Sequence, residues 1–243
     1  MPIAIPLEEL PVYTAENIPH TSIDFSKGGI FLIDKPKRWS SFKVVRKLRK
    51  FIDLKKIGHA GTLDPMATGL LVLCVGKATK SIQFIQNKEK EYMADILFGA
   101  TTPSYDAETE IEKTAPTDHI TLNTIKETLS KEFNGSIEQI PPMYSAVKHK
   151  GKRLYKLARK GQTVERKKRV VTIYDTEIMN FYNPELKLRV VCSKGTYVRS
   201  LAYDLGEKLK SHAYLTALRR TRTGSYKIEQ ALTIQKLEEI FQQ

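Results

Sequence analysis

An α+β fold is what this sequence predicts, and three observations carry the prediction. Apolar residues recur at helical spacing in some segments and alternate in others. The two kinds of segment interleave without a repeating strand–helix unit, and glycine and proline punctuate the joins between them. With 243 residues, 41% of them hydrophobic, the chain can bury a substantial core as one large domain or two small ones.

Residues 1–27 read as an irregular arm, with prolines at 2, 6 and 11 beside Glu8 and Glu9. Gly28-Gly29 then opens the short apolar run Ile30–Ile33, a strand that ends at Asp34-Lys35-Pro36. Ser40 or Ser41 can cap the next segment, in which Phe42, Val45, Leu48 and Ile52 recur at helical spacing. Lys43, Arg46, Lys47, Arg49 and Lys50 fall mostly on other faces, so this is an amphipathic helix with a basic outer face. A glycine-rich loop leads into a strand over Leu70–Val75. Residues 91–99 alternate as a half-buried strand does, with Tyr92, Ala94, Ile96 and Phe98 on one face. Thr101–Thr109 is a polar loop, and Leu122, Ile125 and Leu129 mark a helix capped by Thr121. Val170–Ile173 and Leu188–Cys192 are further strands, and Val198–Leu209 a further helix. No internal repeat and no low-complexity tract interrupts this order.

Forty Lys and Arg against 27 Asp and Glu leave a net charge of +13, an excess that points to a polyanionic partner. The excess concentrates in residues 141–169. From Lys148 to Arg169 there are eleven Lys/Arg and one acid, Glu165, with Tyr144, His149 and Tyr155 close by or interleaved. Cations can pair with phosphates while rings stack on unpaired bases, so the segment suits RNA. A charged surface helix ending at Gly161 is the plainer reading of the same residues.

Several chemistries are excluded. Cys74 and Cys192 lie in apolar strand-like runs without a Cys-x-x-Cys pattern, which suits a reducing compartment and offers no metal site. The histidines at 20, 59, 119, 149 and 212 lack metal-ligand spacing. Gly76-Lys77 is no phosphate-binding loop, because Leu71 stands where a glycine is needed and Ala78 where a hydroxyl is needed. The N-terminus has no basic start followed by an apolar run, and no apolar stretch approaches the ~20 residues that span a bilayer. The expectation is a cytoplasmic protein with no membrane, metal or nucleotide partner.

The most informative stretch is Gly58-His59-Ala60-Gly61-Thr62-Leu63-Asp64-Pro65-Met66-Ala67-Thr68-Gly69-Leu70-Leu71. Three glycines and a proline surround one carboxylate, and glycine lets a loop press its backbone against a ligand. A single Asp64 on such a loop, in so basic a chain, suits a nucleophile or base facing an anionic substrate. An Asp-Pro pair is also a common turn starter, and an Asp ahead of a helix is often only a cap.

This string resembles the motif of the TruB-type tRNA pseudouridine synthases, in which the aspartate of Gly-Thr-Leu-Asp-Pro is catalytic. Gly29-Ile30-Phe31-Leu32-Ile33-Asp34-Lys35-Pro36, followed by Ser40-Ser41-Phe42, resembles the opening motif of the same family. Lys90-Glu91-Tyr92 is similar to the segment with its active-site tyrosine, Lys194-Gly195-Thr196-Tyr197-Val198-Arg199-Ser200-Leu201 to its second tyrosine-and-arginine motif, and Leu218-Arg219-Arg220 to its late leucine–arginine element. In order and spacing the match runs over residues 28–240.

The resemblance implies a pseudouridine-synthase fold: a mixed, largely antiparallel central sheet flanked by helices and loops, with residues 141–169 as a basic insertion that grips the T loop. It implies one catalytic domain over residues 28–243 after the arm 1–27, without the C-terminal RNA-binding PUA domain of many bacterial members. The implied reaction turns uridine into pseudouridine at position 55 in the T loop of tRNA. That isomerisation involves no redox change and consumes no energy, so no cofactor is expected. The implied enzyme is a monomer whose partner is the T arm of tRNA.

Site residues carry over one by one. Asp64 is the nucleophile or base, and whether it attacks the sugar, attacks the base or removes a sugar proton stays open. Tyr92 can stack on uracil and place its phenol near the proton that must leave C5. Arg199 can keep Asp64 ionised and oriented through charge-assisted hydrogen bonds. Tyr197 and Leu218 wall the pocket. His59 fills the space that an extruded uridine vacates. Lys35, Lys148, Lys150, Lys152, Arg153 and Lys156 are the implied RNA-binding cations. Two other readings compete: an RNA-binding module with a degenerate loop, for which a carboxylate at the site has no use, and an enzyme acting on another RNA, as archaeal and eukaryotic relatives do.

Overall fold

The computed structural model describes residues 5–19 and 23–241; Pro2 and His20, which enter the sequence reading, lie outside them. The chain divides into two compact units, Met1–Tyr92 with Arg219–Gln243 and Met93–Leu218.

In the first unit β1 (Val12–Tyr13) runs parallel to β2 (Gly29–Lys35), with Val12 opposite Ile30. The arm, expected as an irregular surface segment, is thus built into the unit: Leu10, Tyr13, Thr14 and Ile18 are buried, Leu10 joins the core cluster, and Ser81 Oγ donates to Ile5 O at 2.6 Å. Ser40 caps α1 (Ser41–Ile52) by accepting the Lys43 N–H at 3.1 Å. The buried face of α1 consists of Ser41, Val44, Val45 and Leu48. Phe42, expected on the apolar face, is instead 62% exposed, because it lies about a third of a turn from the centre of that face. Then come β3 (Ile57–His59) and β4 (Thr68–Val75), and β4 pairs antiparallel with both β2 and β3. Every residue from Gly69 to Val75 is buried, which is why β4 reads as a continuous apolar run and not as an alternation. After α2 (Ile82–Asn87) the chain leaves the unit along β5 (Lys90–Phe98). Ile30, Leu32, Leu70, Val72 and Ile85 pack in one core cluster, each contributing roughly 1.5–3 kcal/mol by burial.

The second unit begins within β5, where Ala94, Ile96 and Phe98 are buried as the alternation predicts. A small hairpin, β6 (Ala100–Thr101) with β7 (Lys113–Thr114), precedes α3 (Leu122–Glu132). Thr121 and Thr124 cap α3 reciprocally, and the helix buries Ile125 and Leu129. β8 (Gly135–Gln139) follows, then a hairpin of β9 (Lys148–His149) and β10 (Lys152–Arg153) running into the short helix α4 (Leu154–Ala158). β11 (Arg169–Tyr182) pairs antiparallel with β8 and with β12 (Glu185–Cys192), and the strand order here is β5-β12-β11-β8. After α5 (Val198–Lys208), β13 (Ala213–Thr223) carries the chain back to the first unit. There Arg219 and Arg220 pair in parallel with Thr68 and Gly69 of β4, and β14 (Tyr226–Lys227) and α6 (Ile234–Phe241) complete the unit.

The fold is α+β with a mixed sheet, parallel at β1–β2 and β4–β13 and antiparallel at β2–β4, β3–β4, β8–β11, β11–β12 and β13–β14. Residues 148–161 do not form one charged helix. The turn between β9 and β10 places Lys150 and Gly151 at positive φ, 46° and 82°, as a tight two-residue hairpin connection requires.

Candidate active site

Asp64 sits on the loop between β3 and β4, within the first unit. The Ala67 N–H donates to the Asp64 carbonyl at 3.1 Å, so Asp64 opens a turn with Pro65 at its second position. The residue before it is clamped at both polar atoms. The Ser41 hydroxyl, at the start of α1, accepts from Leu63 N at 2.9 Å and donates to Leu63 O at 3.0 Å. The residue after it is held as well, because Arg38 N donates to Pro65 O at 2.8 Å. Asp64 itself is half-buried.

Lys35 corrects the sequence reading. It is fully buried, and its Nζ donates to the carbonyls of Trp39 (2.6 Å), Pro36 (3.0 Å) and Pro65 (3.4 Å). Its protons thus join the turn before α1 to the Asp64 loop, and a buried ammonium of this kind stiffens the loop and does not face RNA phosphates.

Arg220 holds the loop from β13. Only 1% exposed, it donates from Nε to Leu70 O at 2.7 Å and from Nη2 to Gly61 O at 3.2 Å. This arginine was read from the sequence only as part of a motif; its mechanical role becomes visible once β13 is seen to lie beside β4. His59 lies on β3 opposite Leu73. Burial, and after it the nearby Arg220 cation, holds its imidazole below the usual histidine range, so the ring is neutral at physiological pH. Its Nδ1 is buried without a hydrogen-bond partner among the described residues. Tyr92 is buried on β5, and its neighbour Glu91 accepts from Thr221 Oγ1 at 2.8 Å.

In the second unit Arg199 and Tyr197 lie at the start of α5. Tyr197 is fixed by Gln139, which accepts from Tyr197 N at 2.7 Å and donates to Tyr197 O at 3.0 Å. Arg199, 3% exposed, donates to Ser104 O and Tyr144 O, each at 2.8 Å, and its Nε lies 3.4 Å from Asp106 Oδ2. A buried guanidinium needs such compensation. The opposite oxygen of Asp106 accepts from Ser104 Oγ at 2.5 Å and from Glu108 N at 3.0 Å. Asp106 is therefore the carboxylate that compensates buried Arg199, and the sequence offers it only as one polar residue in a polar loop. Leu218 is buried on β13.

The other predicted RNA-binding cations stand in the open. Lys148, Lys150, Lys152, Arg153 and Lys156 are all exposed along β9, β10 and α4, while Leu154 is buried and anchors the element. Arg159 lies over the Tyr155 ring at 5.5 Å. Among the described residues no group of three or more His, Cys, Asp or Glu side chains is disposed to hold a metal ion, and no helix is long and apolar enough to cross a membrane.

Known proteins resemble this chain along nearly all of its length. The model of the TruB family pseudouridylate synthase N-terminal domain matches residues 49–198, and that of the tRNA pseudouridylate synthase B C-terminal domain matches residues 199–243. The tRNA pseudouridine synthase B of Flavobacterium johnsoniae is 50% identical over 229 residues, covering 91% of this chain and 100% of that protein. The protein of the same name from Bacteroides fragilis is 51% identical over 223 residues, covering 89% of this chain and 95% of the other. Among solved structures, a Cbf5–Nop10–Gar1 complex matches with a TM-score of 0.68 at 29% identity, covering 92% of this chain and 56% of that one. An H/ACA RNP bound to a substrate RNA containing 2′-deoxyuridine matches with a TM-score of 0.64 at 26% identity, over the same shares. The chain thus spans just over half the length of those two solved chains. With one family model covering more than half of its residues, and relatives at half identity along nearly all of it, this chain belongs to the TruB family of pseudouridylate synthases.

Proposed function

We propose that this chain converts uridine to pseudouridine at position 55 in the T loop of tRNA, and that Asp64 begins the reaction. The observation that carries the reading is the Asp64 loop, pinned on both sides of the carboxylate by Ser41, Arg38 and Lys35 and from β13 by Arg220. A turn that needed only a cap would not require four clamps. Positioning of this kind is what a reacting group demands, since misplacement by about 1 Å can cost on the order of 10²-fold in rate.

The isomerisation breaks the bond between C1′ and N1, turns the uracil and joins C1′ to C5. C5 loses a proton and N1 gains one, so atoms and electrons balance without an oxidant or reductant. A carboxylate is suited to the first step as nucleophile or base. Tyr92 is assigned to stacking on the uracil and to the proton leaving C5. The neutral, flat His59 suits the space left by an extruded nucleotide, whose unstacking costs a few kcal/mol. The residues of the second unit keep the roles that the family motifs imply, Arg199 as the fixed cation and Tyr197 and Leu218 as the wall of the pocket. Lys148, Lys150, Lys152, Arg153 and Lys156 hold RNA phosphates. One copy of the chain carries every motif residue, so a cytoplasmic monomer is the proposed working form.

Relatives at about half identity carry the name tRNA pseudouridine synthase B, which makes tRNA the substrate class. Mass-spectrometric mapping of tRNA from a strain lacking this gene tests the proposal. Loss of pseudouridine at position 55, restored by the wild-type gene, is expected; unchanged tRNA would overturn it.

A further inference from the structure

We infer that the solvent face of α1, with the turn before it, is a separate RNA-contact surface that holds an unpaired stretch of RNA beside the nucleotide presented to Asp64. The inference rests on the proposed function. Three observations support it.

The first is charge. From Lys37 to Ile52 the chain has seven cations (Lys37, Arg38, Lys43, Arg46, Lys47, Arg49 and Lys50) and no acid. Lys47 is committed to Glu238 at 2.5 Å. Lys37, Arg38, Lys43, Arg46 and Lys50 are exposed, and none of these five makes an ion pair among the described residues. A cationic strip with no acid suits a phosphate backbone.

The second is an aromatic pair within that strip. Phe42 is 62% exposed, which a helix with its own buried face does not need for folding. Phe42, Arg46 and Lys50 recur every four residues and so line up along α1, with Lys43 beside them. Trp39 stands just before the helix, with Lys43 Nζ at 4.0 Å from the centre of its ring. Trp39 is half-buried and Phe42 is exposed, and rings that offer an open face beside cations are the elements of a sequence-tolerant stacking platform for single strands. Paired bases offer no free face, so the RNA here is unpaired.

The third is continuity with the proposed site. The surface starts where the Asp64 loop is clamped: Arg38 N donates to Pro65 O at 2.8 Å, and the Ser41 hydroxyl holds both polar backbone atoms of Leu63. An RNA strand that offers a nucleotide to Asp64 leaves that loop beside Trp39 and Phe42. An anionic membrane surface fits less well. The apolar face of α1 is buried, which leaves only the two rings to enter a bilayer, whereas surface-bound helices insert a whole apolar face.

Trp39 is the only tryptophan in the chain, so its fluorescence reports on this surface directly. The full chain is titrated with an oligouridylate of about ten nucleotides, a size within the footprint of single-strand binding surfaces. Oligouridylate should quench Trp39 emission, less so at high salt. Phe42→Ser and Arg46→Glu, both at exposed positions, should each weaken the apparent affinity about tenfold without lowering the melting temperature, and Arg46→Lys should restore it. A blunt RNA duplex should quench less. Equal quenching and affinity in wild type and both variants would overturn the inference, as would a response to phosphatidylglycerol vesicles with none to RNA. Failure of the proposed function is separable, because it shows as unchanged tRNA in the strain lacking the gene, or, for the role of Asp64, as pseudouridine formation by Asp64→Asn, whatever the Trp39 signal does.

Discussion

Gly69 lies backbone to backbone against Arg220: a Cβ on Gly69 would stand 2.3 Å from the Arg220 carbonyl oxygen and 2.8 Å from its nitrogen. The two residues are register partners in the parallel β4–β13 pairing, and the Arg220 side chain reaches on to Gly61 and Leu70. The strand that carries the late leucine–arginine motif therefore presses on the strand leaving the Asp64 loop, and the glycine is what permits the approach.

Gly69→Ala should destabilise the protein by at least about 2 kcal/mol. Its φ of 100° lies outside the range that side-chain-bearing residues favour, a strain of about 1–3 kcal/mol, and the new methyl group meets backbone that cannot swing aside. Urea denaturation checks this, with a lowered midpoint expected.

Ser41→Ala should cost about 1–3 kcal/mol, because it leaves the buried N–H and carbonyl of Leu63 without the hydroxyl that serves both. It should also slow single-turnover pseudouridine formation while RNA affinity stays near that of the wild type, since the loss is of positioning. Parallel denaturation and single-turnover assays separate the two effects.

Asp204 on α5 is half-buried, and burial, reinforced by Glu207, pushes its carboxyl up from 3.8 to about 6. A folded-state value above the unfolded one means that the native state favours the neutral acid. The stabilising contribution is complete below about pH 4 and is lost as pH rises through 6. Asp204→Asn, which resembles the neutral form, should leave stability unchanged near pH 4. Above pH 7 it should raise stability by about 1–2 kcal/mol, less than the full shift because the group is partly solvated. Thermal melts across that range give the comparison.

The hairpin cations should set affinity and not chemistry. If Lys150, Lys152, Arg153 and Lys156 neutralise about four phosphates, replacing all four with Ala should flatten the slope of log K against log salt by about 3. The maximal single-turnover rate at saturating RNA should hardly change, because such contacts hold backbone and do not touch the reacting base. A collapsed rate with unchanged affinity would put this element in the active site instead.

Much of the fold was legible because local signals and tertiary demands agree. Ser40 and Thr121 cap their helices as their side chains predict, and β4 and β5 show the burial patterns that their apolar residues announce. β13 was not legible. Arg219, Arg220 and Arg222 interrupt its apolar residues, and nothing local says that Arg220 is to be buried against carbonyl groups. The outer part of β11 was missed for the opposite reason: Tyr174, Met179 and Tyr182 are exposed, so pairing and not burial makes it a strand. At the site, Asp64 stood out because glycines surround it. Lys35 and Asp106 were misread or passed over, since whether a charged side chain faces water or a buried partner depends on residues far away in sequence.

The most direct test of the central claim is single-turnover release of tritium from C5-labelled uridine in tRNA by Asp64→Asn, with tRNA binding measured in the same preparation. The amide keeps the size of the carboxylate and removes its nucleophilic and basic character. Release should fall by on the order of 10²-fold or more, the scale of a lost acid–base or nucleophilic group, with tRNA affinity close to that of the wild type. Release near the wild-type rate would contradict the assignment of Asp64.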